Sequence, residues 1–171
     1  VRRAPNGSVR GLHVGFVGRY RNGEPAEYHL KRLPAPADPM KTPLTCLETD
    51  GPITVDTGYV RFPVDPQAFD GIEQAWFDPA GTGQYDAASP VIRAEGSAGG
   101  YLVDEAGTRF DASADPDAEV TVDEEGPVKV RIVASGWYVN PKAPEERLCK
   151  YVTRISAYAG SPMIRVEQQT Y

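Results

Sequence analysis

Val128-Lys129-Val130-Arg131-Ile132-Val133-Ala134-Ser135-Gly136-Trp137-Tyr138 sorts its residues into two interleaved sets. Val128, Val130, Ile132, Ala134, Gly136 and Tyr138 share one phase, and Lys129, Arg131, Val133, Ser135 and Trp137 share the other. A period of two is the signature of an extended strand that turns one face to a core. Upstream, Val120 and Val122 alternate with Thr121 and Asp123, and Glu124-Glu125-Gly126-Pro127 supplies turn residues between the two runs. The pair reads as a hairpin. Downstream, Asn140-Pro141-Lys142-Ala143-Pro144 reads as a loop, residues 148–158 as another strand with Tyr151, Thr153 and Ile155 on one face, and Gly160-Ser161-Pro162 as a turn into residues 163–166. Strands joined in this order make an antiparallel meander.

Shorter runs extend the pattern toward the start of the chain, at residues 9–17, 27–33, 53–55, 59–64, 72–77, 101–103 and 108–110. Arg21-Asn22-Gly23, Asp50-Gly51-Pro52, Asp78-Pro79-Ala80-Gly81 and Glu105-Ala106-Gly107 punctuate them as turns. No window of about 12 residues carries an apolar i, i+3, i+4, i+7 pattern free of Pro and Gly, so any helix is one or two turns long. The expected fold is all-β, a single antiparallel barrel-like or sandwich domain over residues 1–171 with long loops at 78–100 and 111–118.

Composition limits the function. Forty per cent hydrophobic and 25% charged residues suit a folded globular domain rather than a disordered chain. A net charge of −6 offers nucleic acid no broad basic surface, since Arg2, Arg3, Arg10, Arg19 and Arg21 all fall in one short segment. No apolar run approaches the roughly 18 residues of a membrane-spanning helix. The start at Val1 and the close at Gln168-Gln169-Thr170-Tyr171 within a strand-like pattern read as a piece of a larger chain. Only Cys46 and Cys149 occur, too few for a C-x-x-C zinc site, and they are either two core thiols or one disulfide.

Asp56-Thr57-Gly58 after Ile53-Thr54-Val55 matches the catalytic triplet of aspartic proteases, which need two carboxylates sharing a proton. Tyr59 opens a further alternating run, so a tight turn is the better reading. His13 and His29 are the only histidines, and Glu27 shares a face with His29, but no nucleophile accompanies them. Asp111, Asp115, Asp117, Glu119, Asp123, Glu124 and Glu125 lack the Gly-centred spacing of a calcium loop and read as solvated acids. Trp76, Trp137 and Tyr138 are the candidate carbohydrate contacts, because the C–H faces of sugar rings pack on aromatic rings, although large aromatics also fill cores. Asn6-Gly7-Ser8 fits the glycosylation sequon. No catalytic residue, cofactor or metal site is assigned.

Pro5-Asn6-Gly7-Ser8-Val9-Arg10, Ile53-Thr54-Val55-Asp56-Thr57-Gly58 with Val60-Arg61-Phe62, and Tyr101-Leu102-Val103-Asp104 carry a resemblance. Glu125-Gly126-Pro127-Val128, Tyr151-Val152-Thr153-Arg154-Ile155 and Ala157-Tyr158-Ala159-Gly160-Ser161-Pro162 before Ile164-Arg165-Val166-Glu167 extend it. In their order and spacing these segments make the chain resemble the N-terminal RIFT-type β-barrel domain of YetA-like proteins, the group that includes exo-acting rhamnogalacturonan lyases. The resemblance implies an extracellular or cell-surface parent of three parts: this barrel, a helical toroid that holds most of the lyase chemistry, and a C-terminal β-domain. It implies a non-catalytic accessory domain whose partners are the remaining domains of the parent and pectic polysaccharide. The strand that the family pattern sets before Pro-Asn-Gly-Ser does not occur here. The alternative is a structural or adhesive module of an extracellular assembly, joined to copies of itself through unpaired edge strands.

Overall fold

Alternation at period two yields a strand only where each face meets a suitable environment, and the long central strands meet it. The computed structural model describes residues 2–11, 14–16, 18, 27–29, 31, 40–93 and 100–171. It divides into two compact units, Val1–Pro39 and Met40–Tyr171. In the first, β1 (Arg2–Arg3) and β2 (Val9–Gly11) form an antiparallel pair, so a two-residue strand does precede Pro5-Asn6-Gly7-Ser8, contrary to the expectation of none. Asn6 Oδ1 accepts from Ser8 N at 3.1 Å and Ser8 Oγ at 2.7 Å within their connecting turn. Residues 27–29 and 31, expected in a strand, are in none, and His13 lies outside the described residues.

The second unit is all-β and antiparallel. Its first sheet, in the order β3-β4-β5-β6, uses β3 (Thr45–Leu47), β4 (Ile53–Asp56), β5 (Val60–Val64) and β6 (Trp76–Phe77). The second is curled like half a barrel. It comprises β7 (Tyr101–Val103), β8 (Arg109–Asp111), β9 (Glu119–Glu125), β10 (Lys129–Asn140), β11 (Ala143–Tyr158) and β12 (Ile164–Thr170). Its order is β12-β11-β10-β8-β7, with β9 pairing β10 over Val130 to Ser135 and β8 meeting it at Val139. The meander expected from β9 to β12 is present. No helix occurs among the described residues, so none there can cross a membrane.

Val55 and Phe62 of the first sheet and Val130, Ile132 and Ala134 of the second belong to one buried cluster. Full burial of each larger side chain contributes about 1.5–3 kcal/mol relative to exposure. The expected loop at 140–144 shrinks to Pro141-Lys142, because Asn140 Oδ1 accepts from Lys142 N at 2.9 Å while Asn140 Nδ2 donates to Glu146 at 2.7 Å. The turn thus needs only two residues, and Pro144 sits inside β11. The strand expected at 72–77 contracts to two residues, with Ala75 bridging only Ile92 beyond it.

The Asp-Thr-Gly triplet is a structural clamp. Asp56 accepts from Gly58 N at 2.8 Å, Tyr85 Oη at 2.6 Å and Arg61 Nη2 at 2.9 Å, which uses both of its oxygens. Gly58 adopts φ +89°, and a Cβ there would lie 2.7 Å from Pro43 Cβ, so only glycine fits. Thr57 is fully buried. Its Oγ1 accepts from Val60 N at 2.9 Å and Tyr59 N at 3.2 Å and donates to Ser161 O at 2.8 Å, while its carbonyl accepts from Gly160 N at 2.9 Å. The β4–β5 turn is thereby tied to the β11–β12 turn of the other sheet.

Asp78 organises the loop after β6. Its carboxylate accepts from Thr82 Oγ1 at 2.8 Å and from the N–H groups of Thr82, Ala80 and Gln84 at 2.6, 2.9 and 3.3 Å. The Thr82 hydroxyl foremost, with those N–H groups, holds the carboxyl below its usual range against the opposing effect of burial. A lowered folded value means that the contribution is complete above the unfolded value near 3.9 and disappears as pH falls through the folded one. Wild type should therefore exceed Asp78→Asn in urea-melt stability at pH 6, with the gap narrowing below about pH 4. A gap independent of pH over that span sinks the assignment.

Cys46 and Cys149 are both unbonded and half-buried. Burial first, then Glu125 and Glu48, pushes the Cys46 thiol up to about 11, and burial raises Cys149. Both are protonated thiols at neutral pH.

Candidate functional site

The β10–β11 ladder sets Trp137 opposite Lys150. The register slips between Trp137 and Val139, so the next pairing joins Val139 to Arg147 and brings a second cation to the indole. Lys150 Nζ lies 5.1 Å and the Arg147 guanidinium 5.9 Å from the ring centroid, within or near cation–π range. Asp117, Glu119, Trp137, Arg147, Lys150 and Tyr171 line an open cleft of about 300 Å³. That volume is at the lower end for a small-molecule site.

The support beneath the indole is one buried acid. Asp115 has a fully buried side chain and accepts from Trp137 N at 2.7 Å and Asp117 N at 3.2 Å. Arg147 Nη2 lies 3.9 Å from Asp115 Oδ1 and 2.7 Å from Asp117 Oδ2. Gly136 makes room for this: a Cβ there would lie 2.7 Å from Asp115 Oδ2 and 2.8 Å from the Tyr151 hydroxyl. That hydroxyl is buried without a hydrogen-bond partner among the described residues. Burial, reinforced by Asp115 and Tyr138, raises its pKa above the ordinary tyrosine range.

The three candidate aromatics separate. Trp137 is at the cleft. Tyr138, one residue on, is 1% exposed; its ring centroid is 5.3 Å from that of Tyr151, and its hydroxyl accepts from Gln168 Nε2. Trp76 is half-buried on β6 of the other sheet, its indole N–H 3.4 Å from Ala87 O. His29 Nε2 and Glu27 Oε1 approach to 3.2 Å, with both side chains largely exposed.

Most of the acidic series is paired with cations. Asp111 pairs with Arg109, Asp117 with Arg147, Asp123 with Arg131 and Glu124 with Lys129. No group of three or more metal-ligating side chains occurs among the described residues.

Arg147, Lys150 and Tyr171 escaped sequence reading. Arg147 and Lys150 are placed by the β10–β11 register and its slip and Tyr171 by its pairing with Lys150 beside β12, and periodicity within one strand does not encode any of these. Chemically, the cleft offers part of one indole together with carboxylate acceptors and cationic donors, of which Asp117 and Arg147 are paired with each other. Comparison with protein-family models, with curated proteins and with solved structures gives no match to the chain.

Proposed function

We propose that the chain is a non-catalytic β-domain of a larger extracellular carbohydrate-active protein, packing on a catalytic domain and meeting a pectic saccharide at the Trp137 cleft. The observation that carries this reading is a half-buried indole lining a cleft together with Asp117, Glu119, Arg147 and Lys150. A sugar presents an apolar C–H face ringed by hydroxyls that donate and accept, and such a cleft matches each part. The resemblance to the YetA-like barrel supports the choice of saccharide and the extracellular setting. The elimination step of a lyase belongs, on this reading, to the catalytic domain.

Titration calorimetry of the chain with rhamnogalacturonan oligosaccharides tests the site. Wild type is expected to bind and Trp137→Ala to bind about tenfold more weakly, as the loss of one aromatic stacking contact would give. Trp76→Phe is expected to bind as wild type does. The same preparations should release no unsaturated uronate from pectic substrates. Equal affinity for Trp137→Ala, or measurable lyase activity, overturns the proposal.

A further inference from the structure

We propose that β12 is a self-association edge, through which two copies of the chain pair antiparallel with Val166 opposite Val166. The inference stands apart from the saccharide reading and rests on hydrogen-bond phase, edge length and charge. Lys150 and Tyr171 exchange both backbone hydrogen bonds, Lys150 N to Tyr171 O at 3.2 Å and Tyr171 N to Lys150 O at 3.0 Å. Counting in twos along the regular β11–β12 register, Gln169, Glu167 and Arg165 also turn their N–H and C=O toward β11. Ile164, Val166, Gln168 and Thr170 therefore turn theirs the other way, and β12 pairs only β11 among the described residues.

An open row of donors and acceptors is a template for another strand unless the edge is blunted. β3, β6 and β7 are blunted by length, at three, two and three residues. β9 is as long as β12 but is interrupted by a register shift at Asp123 and carries Glu119 and Glu125 beside its two ion-paired acids. β12 has seven residues with no Pro, Lys or bulge. Val166 is 54% exposed on it, next to Met163 at 74%.

Charge then selects the register. Hydrogen-bonded pairing requires outward-turned residues to face one another, so the centre falls on Val166, Glu167 or Gln168. Centring on Glu167 sets two like charges face to face. Centring on Gln168 leaves Arg165 without an acidic partner. Centring on Val166 sets Arg165 of each copy against Glu167 of the other, twice, at the close non-hydrogen-bonded positions. The two residues already share a face, since Arg165 Nη2 and Glu167 Oε1 lie 2.9 Å apart within one chain.

Sedimentation equilibrium across the micromolar range tests the proposal. Wild type is expected to show a concentration-dependent dimer. Glu167→Arg should raise its dissociation constant about tenfold or more, and Arg165→Glu with Glu167→Arg should restore it. Both positions are exposed, and unchanged thermal melts will show that each variant folds. A wild-type monomer throughout the range overturns the proposal, as does a Glu167→Arg dimer of wild-type strength. A double variant as weak as the single one overturns the Val166-centred register.

Discussion

Asp115→Ala is expected to lower the stability of the chain by about 3 kcal/mol, a fall of roughly 10 °C in melting temperature. The carboxylate is wholly buried. Its removal strands the Trp137 N–H, which it holds at 2.7 Å, and the Asp117 N–H at 3.2 Å. Each unsatisfied group costs about 1–3 kcal/mol. It also takes the buried partner from Arg147, 3.9 Å away, and leaves it only Asp117, which is 70% exposed. The informative control is Asp117→Ala, which breaks a shorter ion pair at 2.7 Å but an exposed one, and should cost under about 1 kcal/mol. Denaturant melts of the two variants decide the matter. Equal losses would mean that Asp115 is no more than a surface charge.

Thr57→Val should cost about 2 kcal/mol although it preserves the shape of the side chain. Valine fills the same space but leaves Val60 N without its side-chain acceptor and Ser161 O without its donor. Both losses fall at the contact between the two sheets. The variant should therefore speed unfolding, and thermal melts with stopped-flow unfolding would report it. Thr57→Ser retains the hydroxyl and loses one methyl group, so it should recover most of the deficit. A valine variant as stable as wild type would show that packing alone joins the turns.

How much of this was legible in the sequence depended on how local the physics is. The strands β9 to β12 were readable because each has its own alternation and Gly, Pro or Asx at its ends. Asp-Thr-Gly was readable as a turn for the same reason, yet its bond to Ser161 was not, since that partner is 104 residues away. β3 was missed: Thr45-Cys46-Leu47 is too short to show a period, and only pairing with β4 makes it a strand. The loop at 140–144 is shorter than the sequence implies, because Pro144 reads as a breaker whereas the Asn140 side chain closes the turn before it. In the cleft, Trp137 could be nominated as an aromatic of uncertain use. Lys150 reaches it through the β10–β11 register, Arg147 through the slip in that register, and Asp115 through a gap left by Gly136, none of which a single strand announces.

The division of strands between the sheets also bears on how the chain folds. β3 to β6 come from one continuous stretch and β7 to β12 from the next, so neither sheet waits for a strand from the other's segment. Most ladders join neighbours along the chain, which keeps the closing loops short and their entropy cost low. The contacts of widest separation are concentrated where the faces meet, as at Thr57 and Ser161. Cooperativity thus resides in the seam between the sheets, where the shared buried cluster and the Thr57–Ser161 hydrogen bond join the two stretches of chain.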